Sequence, residues 1–106
     1  MKLYFVATFE DVKTKANPLN HVSDKRIVGY FLDLETAKEC VEQNWGDLYE
    51  DGYYKYAVIE DVEPGLYRSV SSKPIFYKWV GDINTGGYIR TRRPKCWKNT
   101  WGFTIG

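Results

Sequence analysis

Residues 26–64 constrain the fold more than any other stretch. They read RIVGYFLDLETAKECVEQNWGDLYEDGYYKYAVIEDVEP. The apolar run at 26–32 has strand composition, and Gly29 inside it predicts a bulge or a close backbone approach. The spacing then changes. Leu34, Ala37, Val41 and Trp45 recur every three or four residues, with Cys40 beside them, while Glu35, Lys38, Glu39 and Glu42 fall opposite. This is the pattern of an amphipathic helix over about 33–45, lying on a sheet. Asp33 is its N-cap, Glu35 favours the positive end of its dipole, and Asn44 and Gly46 supply the stop. A second strand-like run follows at 53–62, where Tyr54, Tyr56 and Val58 alternate with Tyr53, Lys55, Ala57 and Ile59. With three tyrosines in four positions, one of Tyr53, Tyr54 and Tyr56 must face outward or toward a ligand, which makes this strand an alternative place for a binding site.

The rest of the chain adds strands. Residues 2–10 carry apolar groups on both alternating faces, Leu3, Phe5 and Ala7 against Tyr4, Val6 and Thr8, as an internal strand requires. Residues 11–24 are polar, contain Asn17-Pro18 and Ser23-Asp24, and read as a loop carrying the sole histidine, His21. Residues 47–52 read as a turn, and residues 66–70 as a short strand. Residues 74–81 and 88–93 form a hairpin about the glycine-containing loop 82–87, and Pro94 ends it. The expected architecture is α+β: one domain spanning residues 1–106, ββα followed by several antiparallel strands, with the helix on one sheet face. Residues 94–106 are a last short strand or a C-terminal arm.

With 106 residues the chain can bury a core without metal or disulfide staples. Its two cysteines, Cys40 and Cys96, stand far apart with no ligand spacing around them, so no structural zinc and no disulfide framework are expected. The N-terminal apolar run is too short for a signal peptide or a membrane span, and the cytoplasm is the expected compartment. No phosphate loop, zinc-hydrolase, nucleophile-elbow or deaminase motif occurs. The acidic groups Asp47/Glu50/Asp51 lack the spacing of a calcium loop. Glu60 and Asp61 would point to opposite faces of a strand, which makes a poor acid/base pair. The expectation is a protein that is not an enzyme and uses no cofactor or metal.

A near-neutral total charge hides an asymmetry. Residues 1–65 hold seven Lys/Arg against 13 Asp/Glu, whereas residues 66–106 hold eight Lys/Arg against Asp82 alone. In the basic third, cations alternate with rings: Lys78-Trp79, Tyr88, Arg90, Arg92-Arg93 and Trp97. On a strand, Tyr88, Arg90 and Arg92 share one face. Guanidinium forks grip phosphate oxygens in pairs while a ring stacks on a base. The candidate ligand site is therefore Tyr88, Arg90, Arg92, Arg93, Lys78, Trp79 and Trp97. The competing reading is a solvated hairpin with Tyr88 packed into the core. A basic end on an acidic body can also dock on another copy, so a homo-oligomer is expected.

The set Gly29-Tyr30-Phe31, Leu34-Glu35, Ala37-Lys38, Asn44-Trp45, Asp47, Gly52-Tyr53-Tyr54, Tyr56-Ala57-Val58-Ile59-Glu60 and Gly65-Leu66-Tyr67 resembles a group of short uncharacterised proteins from phages and mobile elements of Gram-positive bacteria. The resemblance covers about residues 26–80 and carries no active residues with it. It implies a context, that of phage inhibitors of host defence acting in the host cytoplasm. In that context the expected function is a sponge that sequesters a nucleotide-derived immune signal, a cyclic ADP-ribose variant or a cyclic dinucleotide. Two alternatives stand beside it. One is an acidic inhibitor of a host protein acting through Glu35, Glu39, Glu42, Asp47, Glu50 and Asp51. The other is nucleic-acid binding by the basic hairpin, although a sequence pI of about 7.7 is well short of the usual basic footprint.

Overall fold

The computed structural model describes residues 2–12, 21–63 and 74–94. They form one antiparallel sheet of five strands with one helix on it, the expected α+β architecture. The strands are β1 (Leu3–Val12), β2 (His21–Phe31), β3 (Tyr56–Val62), β4 (Ile75–Val80) and β5 (Gly87–Thr91); the helix is α1 (Leu34–Glu42). Their order across the sheet is β2-β1-β3-β4-β5. β1 and β3 are thus internal, as their two-sided apolar patterns require, and β2 and β5 are the edges among the described residues.

Alternation divides the side chains between two faces. Val6, Ala57, Ile59, Tyr77, Trp79 and Tyr88 join the helix residues Ala37, Cys40 and Val41 in the main core. Ala7, Phe9, Val58 and Phe76 form a second cluster on the opposite face. Glu60 lies on that face too, fully buried and paired in register with Phe5. Asp61, the next residue, faces the helix side, so the two carboxylates are on opposite faces as the strand period dictates.

Helix α1 begins where the sequence places it. The Asp33 carboxylate accepts from the Thr36 backbone N–H at 2.8 Å and from its hydroxyl at 2.9 Å, which holds the Asp33 pKa below its ordinary value. The helix ends at Glu42, three residues short of the expected boundary. Asn44 already has φ of 52°, and Gly46 has φ of 61°. Asn44 Oδ1 accepts from the Tyr49 N–H at 2.9 Å, so the chain reverses into a local loop instead of adding a turn. Trp45 consequently sits beyond the helix, half exposed, with its Nε1–H donated to Gln43 Oε1 at 3.1 Å and its ring edge-on to Phe31. The turn expected at 47–52 closes with a single 3-10 turn, Glu50–Gly52, and buries Leu48.

The other boundary correction concerns β2. Of the stretch 11–24, read as loop from its polarity, residues 11–12 and 21–24 are strand, because Glu10, Asp11 and Val12 pair with Ser23, Val22 and His21. A two-stranded ribbon needs only backbone partners there, so polar side chains do not exclude it. The bulge expected at Gly29 is present: pairing passes from Val6↔Gly29 to Ala7↔Ile27, leaving Val28 as the extra residue. The strand expected at 53–62 starts at Tyr56. Of the three tyrosines, Tyr53 faces outward at 54% exposure while Tyr54 is buried. The short strand expected at 66–70 and the C-terminal arm lie outside the described residues. Among those residues no helix is long and apolar enough to cross a membrane.

Candidate functional site

The β4–β5 hairpin forms as the sequence indicates, with five consecutive pairs from Phe76↔Thr91 to Val80↔Gly87. Its side chains are distributed differently from the expected site. Tyr88 is buried, and its hydroxyl donates to the Tyr54 carbonyl at 2.6 Å. Burial raises the pKa of that hydroxyl, which stays protonated. Trp79 is buried against Tyr49, with ring centroids 3.9 Å apart and planes 6° from parallel, and Tyr88 meets Trp79 edge-on at 5.2 Å. Trp79 Nε1–H also donates to the Asp82 carbonyl at 3.2 Å. Both rings belong to the core, and their faces are occupied by protein. Lys78 is exposed on the sheet face away from the helix, opposite to Arg90. Arg92 and Arg93 are exposed and follow the end of β5. Trp97 lies outside the described residues. The structure therefore keeps the three arginines along one edge of the sheet, separates Lys78 from Arg90 by the thickness of the sheet, and uses Tyr88 and Trp79 internally.

Arg90 does open onto a concavity. A cavity of about 380 Å³ lies on the helix side of the sheet, lined by Lys2, Tyr4, Leu34, Ile59, Asp61, Pro74, Ile75 and Arg90. Four sheet strands and the first residue of α1 meet there. Ile59 is the fully buried floor, and Tyr4, Leu34 and Ile75 form a mostly apolar wall. Among the described residues the charged groups are Lys2, Asp61 and Arg90. Lys2 Nζ is 3.2 Å from Asp61 Oδ2, and this hydrogen-bonded pair raises the lysine pKa. The Arg90 guanidinium makes no ion pair or hydrogen bond among the described residues. Arg90 pairs in register with Tyr77, whose hydroxyl donates to Glu42 Oε2 at 3.0 Å. Burial first, and then Glu42, raise the Tyr77 pKa, with Arg90 opposing. Among the described residues the cavity thus combines apolar walls, one ring and the uncommitted Arg90 guanidinium, an arrangement suited to a small anion with a hydrophobic body.

Of the charged and ring-bearing residues that line this cavity, sequence reasoning singled out Arg90 and not Lys2, Tyr4 or Asp61. The relation between Tyr4 and Asp61 is the register of β1 on β3, where they are direct partners, 57 positions apart in the chain. Nothing local in the sequence encodes that register.

A second, more open concavity of about 410 Å³ is lined by Arg26, Glu50, Tyr53 and Tyr54. Its cation is already engaged. Arg26 Nη2 is 2.8 Å from Glu50 Oε2, its Nε–H donates to Thr8 Oγ1 at 3.3 Å, and its guanidinium carbon lies 4.5 Å from the Tyr54 ring centroid. Among the described residues no group of three or more His, Cys, Asp or Glu side chains is placed to hold a metal ion. Cys40 is a buried thiol whose pKa burial raises, so it behaves as a core residue. In comparisons with known proteins, no family model, curated protein or solved structure matches this chain.

Proposed function

We propose that this protein is a non-enzymatic binder of a small nucleotide-type anion, held in the cavity between Lys2, Tyr4 and Arg90. The observation that carries the reading is the Arg90 guanidinium. It stands exposed at an apolar, ring-bearing cavity and is uncommitted among the described residues. A cavity of about 380 Å³ falls within the range of roughly 300–1,000 Å³ of small-molecule sites. Arg90 binds a phosphate through its paired N–H groups, Lys2 adds a second cation once Asp61 releases it, and Tyr4 packs against the base or sugar. Arg92 and Arg93, beyond the end of β5, contribute long-range attraction for the anion. In the phage context that the central sequence pattern resembles, such a protein serves as a sponge for a nucleotide-derived immune signal in the host cytoplasm, acting as a homo-oligomer.

Calorimetric titration with cyclic dinucleotides, cyclic ADP-ribose isomers, ATP and pyrophosphate tests the reading. At least one phosphate ligand is expected to bind. Arg90→Ala is expected to weaken it about 10-fold or more, as losing a charge-assisted hydrogen bond implies. A folded protein that gives no heat with any member of the panel excludes it. A second reading has its own support in the exposed acidic face of α1, formed by Glu35, Glu39 and Glu42. That face fits a basic surface on another protein. Retention of a host protein that Glu39→Lys abolishes, with the nucleotide panel silent, would favour it.

A further inference from the structure

Among the described residues the outer edge of β5 presents main-chain groups and an apolar side chain, Ile89, that the cavity does not use. β5 is the terminal strand of the sheet among the described residues, and it pairs with β4 alone. Alternate residues of Gly87–Thr91 therefore direct their backbone N–H and C=O groups away from the sheet. The strand is regular, without a bulge across its five pairs. On the face away from the helix it carries Ile89, 57% exposed, with Val80 of β4, 56% exposed, diagonally beside it. Toward the helix side it carries Arg90, and Arg92 and Arg93 continue the same line of chain. None of the three guanidinium groups has an acidic partner among the described residues.

We infer that this edge accepts an extended acidic segment of another protein as a sixth strand. Main-chain hydrogen bonds to β5 would supply the pairing, as in other cases of strand addition. The side-chain pattern sets the kind of segment. Apolar residues at every second position would cover Ile89 and Val80. The intervening Glu or Asp residues would face Arg90 and reach Arg92. A second copy pairing through its own β5 fits less well, because it would gather six guanidinium groups on one pair of strands. Ile89 lies on the opposite face of the sheet from the cavity, so its contacts do not involve the cavity ligand, whereas Arg90 is shared between the two.

The full chain, isotopically labelled, is titrated with a capped ten-residue peptide of alternating Glu and Val and followed by amide NMR. The expected result is saturable shifts and slowed exchange confined to Gly87–Thr91 and its flanks. A Lys/Val peptide of the same alternation, and a peptide with the same Glu and Val content in two blocks, are expected to bind at least 10-fold more weakly. Ile89→Glu is expected to abolish peptide binding while leaving the response to cavity ligands unchanged. No shift on β5 at millimolar Glu/Val peptide overturns the inference. So does an equal response to the Lys/Val or block peptide. Self-association of the free protein through β5 overturns it as well, by assigning the edge to a second copy.

Discussion

The two edges of the sheet each carry arginine, and they use it in opposite ways. β2 is long, 11 residues, and its pairing with β1 shifts register twice. Its Arg26 is tied to Glu50, to Thr8 and to the ring of Tyr54. β5 is short and regular, and Arg90, Arg92 and Arg93 around its end have no such partners among the described residues. What separates the fates of the same side chain is the neighbour the fold supplies. The 44–52 loop folds a carboxylate over β2, whereas beside β5 the sequence offers a single acid, Asp82, whose carboxylate accepts from backbone in its own turn. An engaged arginine contributes to structure. An unengaged one retains its charge for a ligand or partner, at the cost of electrostatic repulsion among neighbouring cations.

The comparison would break most visibly at the anchor that makes β5 part of the fold. Tyr88 is 2% exposed and its hydroxyl satisfies a buried carbonyl. Tyr88→Ala is expected to cost about 4 kcal/mol in urea unfolding, through the cavity it leaves and the orphaned carbonyl. Tyr88→Phe removes only the hydroxyl and should cost about 1–2 kcal/mol. A loss below about 1 kcal/mol for the alanine variant would mean that β5 is not held by this ring.

The hairpin turn ranks next. At Gly86 a Cβ would collide with the Val80 carbonyl, lie 2.6 Å from the Asp82 carbonyl and 2.7 Å from Trp79 Nε1. Gly81 has φ of 99°, and its own Cβ would meet the Gly86 Cα at 2.7 Å. Gly86→Ala has no room without moving backbone, so it should destabilise by more than about 1 kcal/mol and red-shift Trp79 fluorescence. An unshifted spectrum at wild-type stability would show that the turn can yield.

Much of the framework was legible because the signals are local. Asp33 three residues before Thr36, the 3–4 spacing of Ala37, Cys40 and Val41, and Gly29 in a strand each reported a feature that formed. The failures share a cause, which is that distant partners decided them. Residues 21–24 lie in a polar stretch and became strand because β1 continues beside them to Val12. Trp45 had helical spacing, yet the Asn44–Tyr49 hydrogen bond turned the chain first. Tyr88 and Trp79 had the composition of a stacking platform, and the Tyr49 ring and the Tyr54 carbonyl, both from the segment between α1 and β3, claimed them. The cavity could not be read at all, since it exists only where the β1–β3 register sets Tyr4 beside Asp61 and the β4–β5 register brings Arg90 to the same side.

A smaller effect sharpens the contrast between the arginines themselves. The Arg26–Glu50 pair is half exposed, so Arg26→Ala should cost only about 1 kcal/mol, counting the ring contact and the Thr8 hydrogen bond. A double-mutant cycle with Glu50→Ala should return less than about 1 kcal/mol of coupling, shrinking as salt is raised. Arg92→Ala should change stability by no more than about 0.5 kcal/mol. If Arg92→Ala destabilised as much as Arg26→Ala, the two edges would not differ in the way described.

The smallest effect concerns Asp82, which holds the turn beside the free edge. Its Oδ1 accepts from the backbone N–H groups of Asn84 and Thr85, both at 2.8 Å, and from the Thr85 hydroxyl at 2.9 Å. The Thr85 bonds, and then Asn84, lower its pKa below the ordinary value of 3.8. The sign follows from linkage. A depressed folded-state pKa means that the carboxylate form stabilises the turn, fully so above 3.8, and that this contribution fades as pH falls through the lower folded value. The Asn84 and Thr85 amide shifts should therefore titrate together with a midpoint below 3.8. Asp82→Asn should remove that titration while leaving the Arg26–Glu50 edge untouched. A midpoint at or above the ordinary value would mean that the carboxylate does not hold those amides in solution. The hairpin would then owe its shape to Gly81, Gly86 and the Trp79 contact alone.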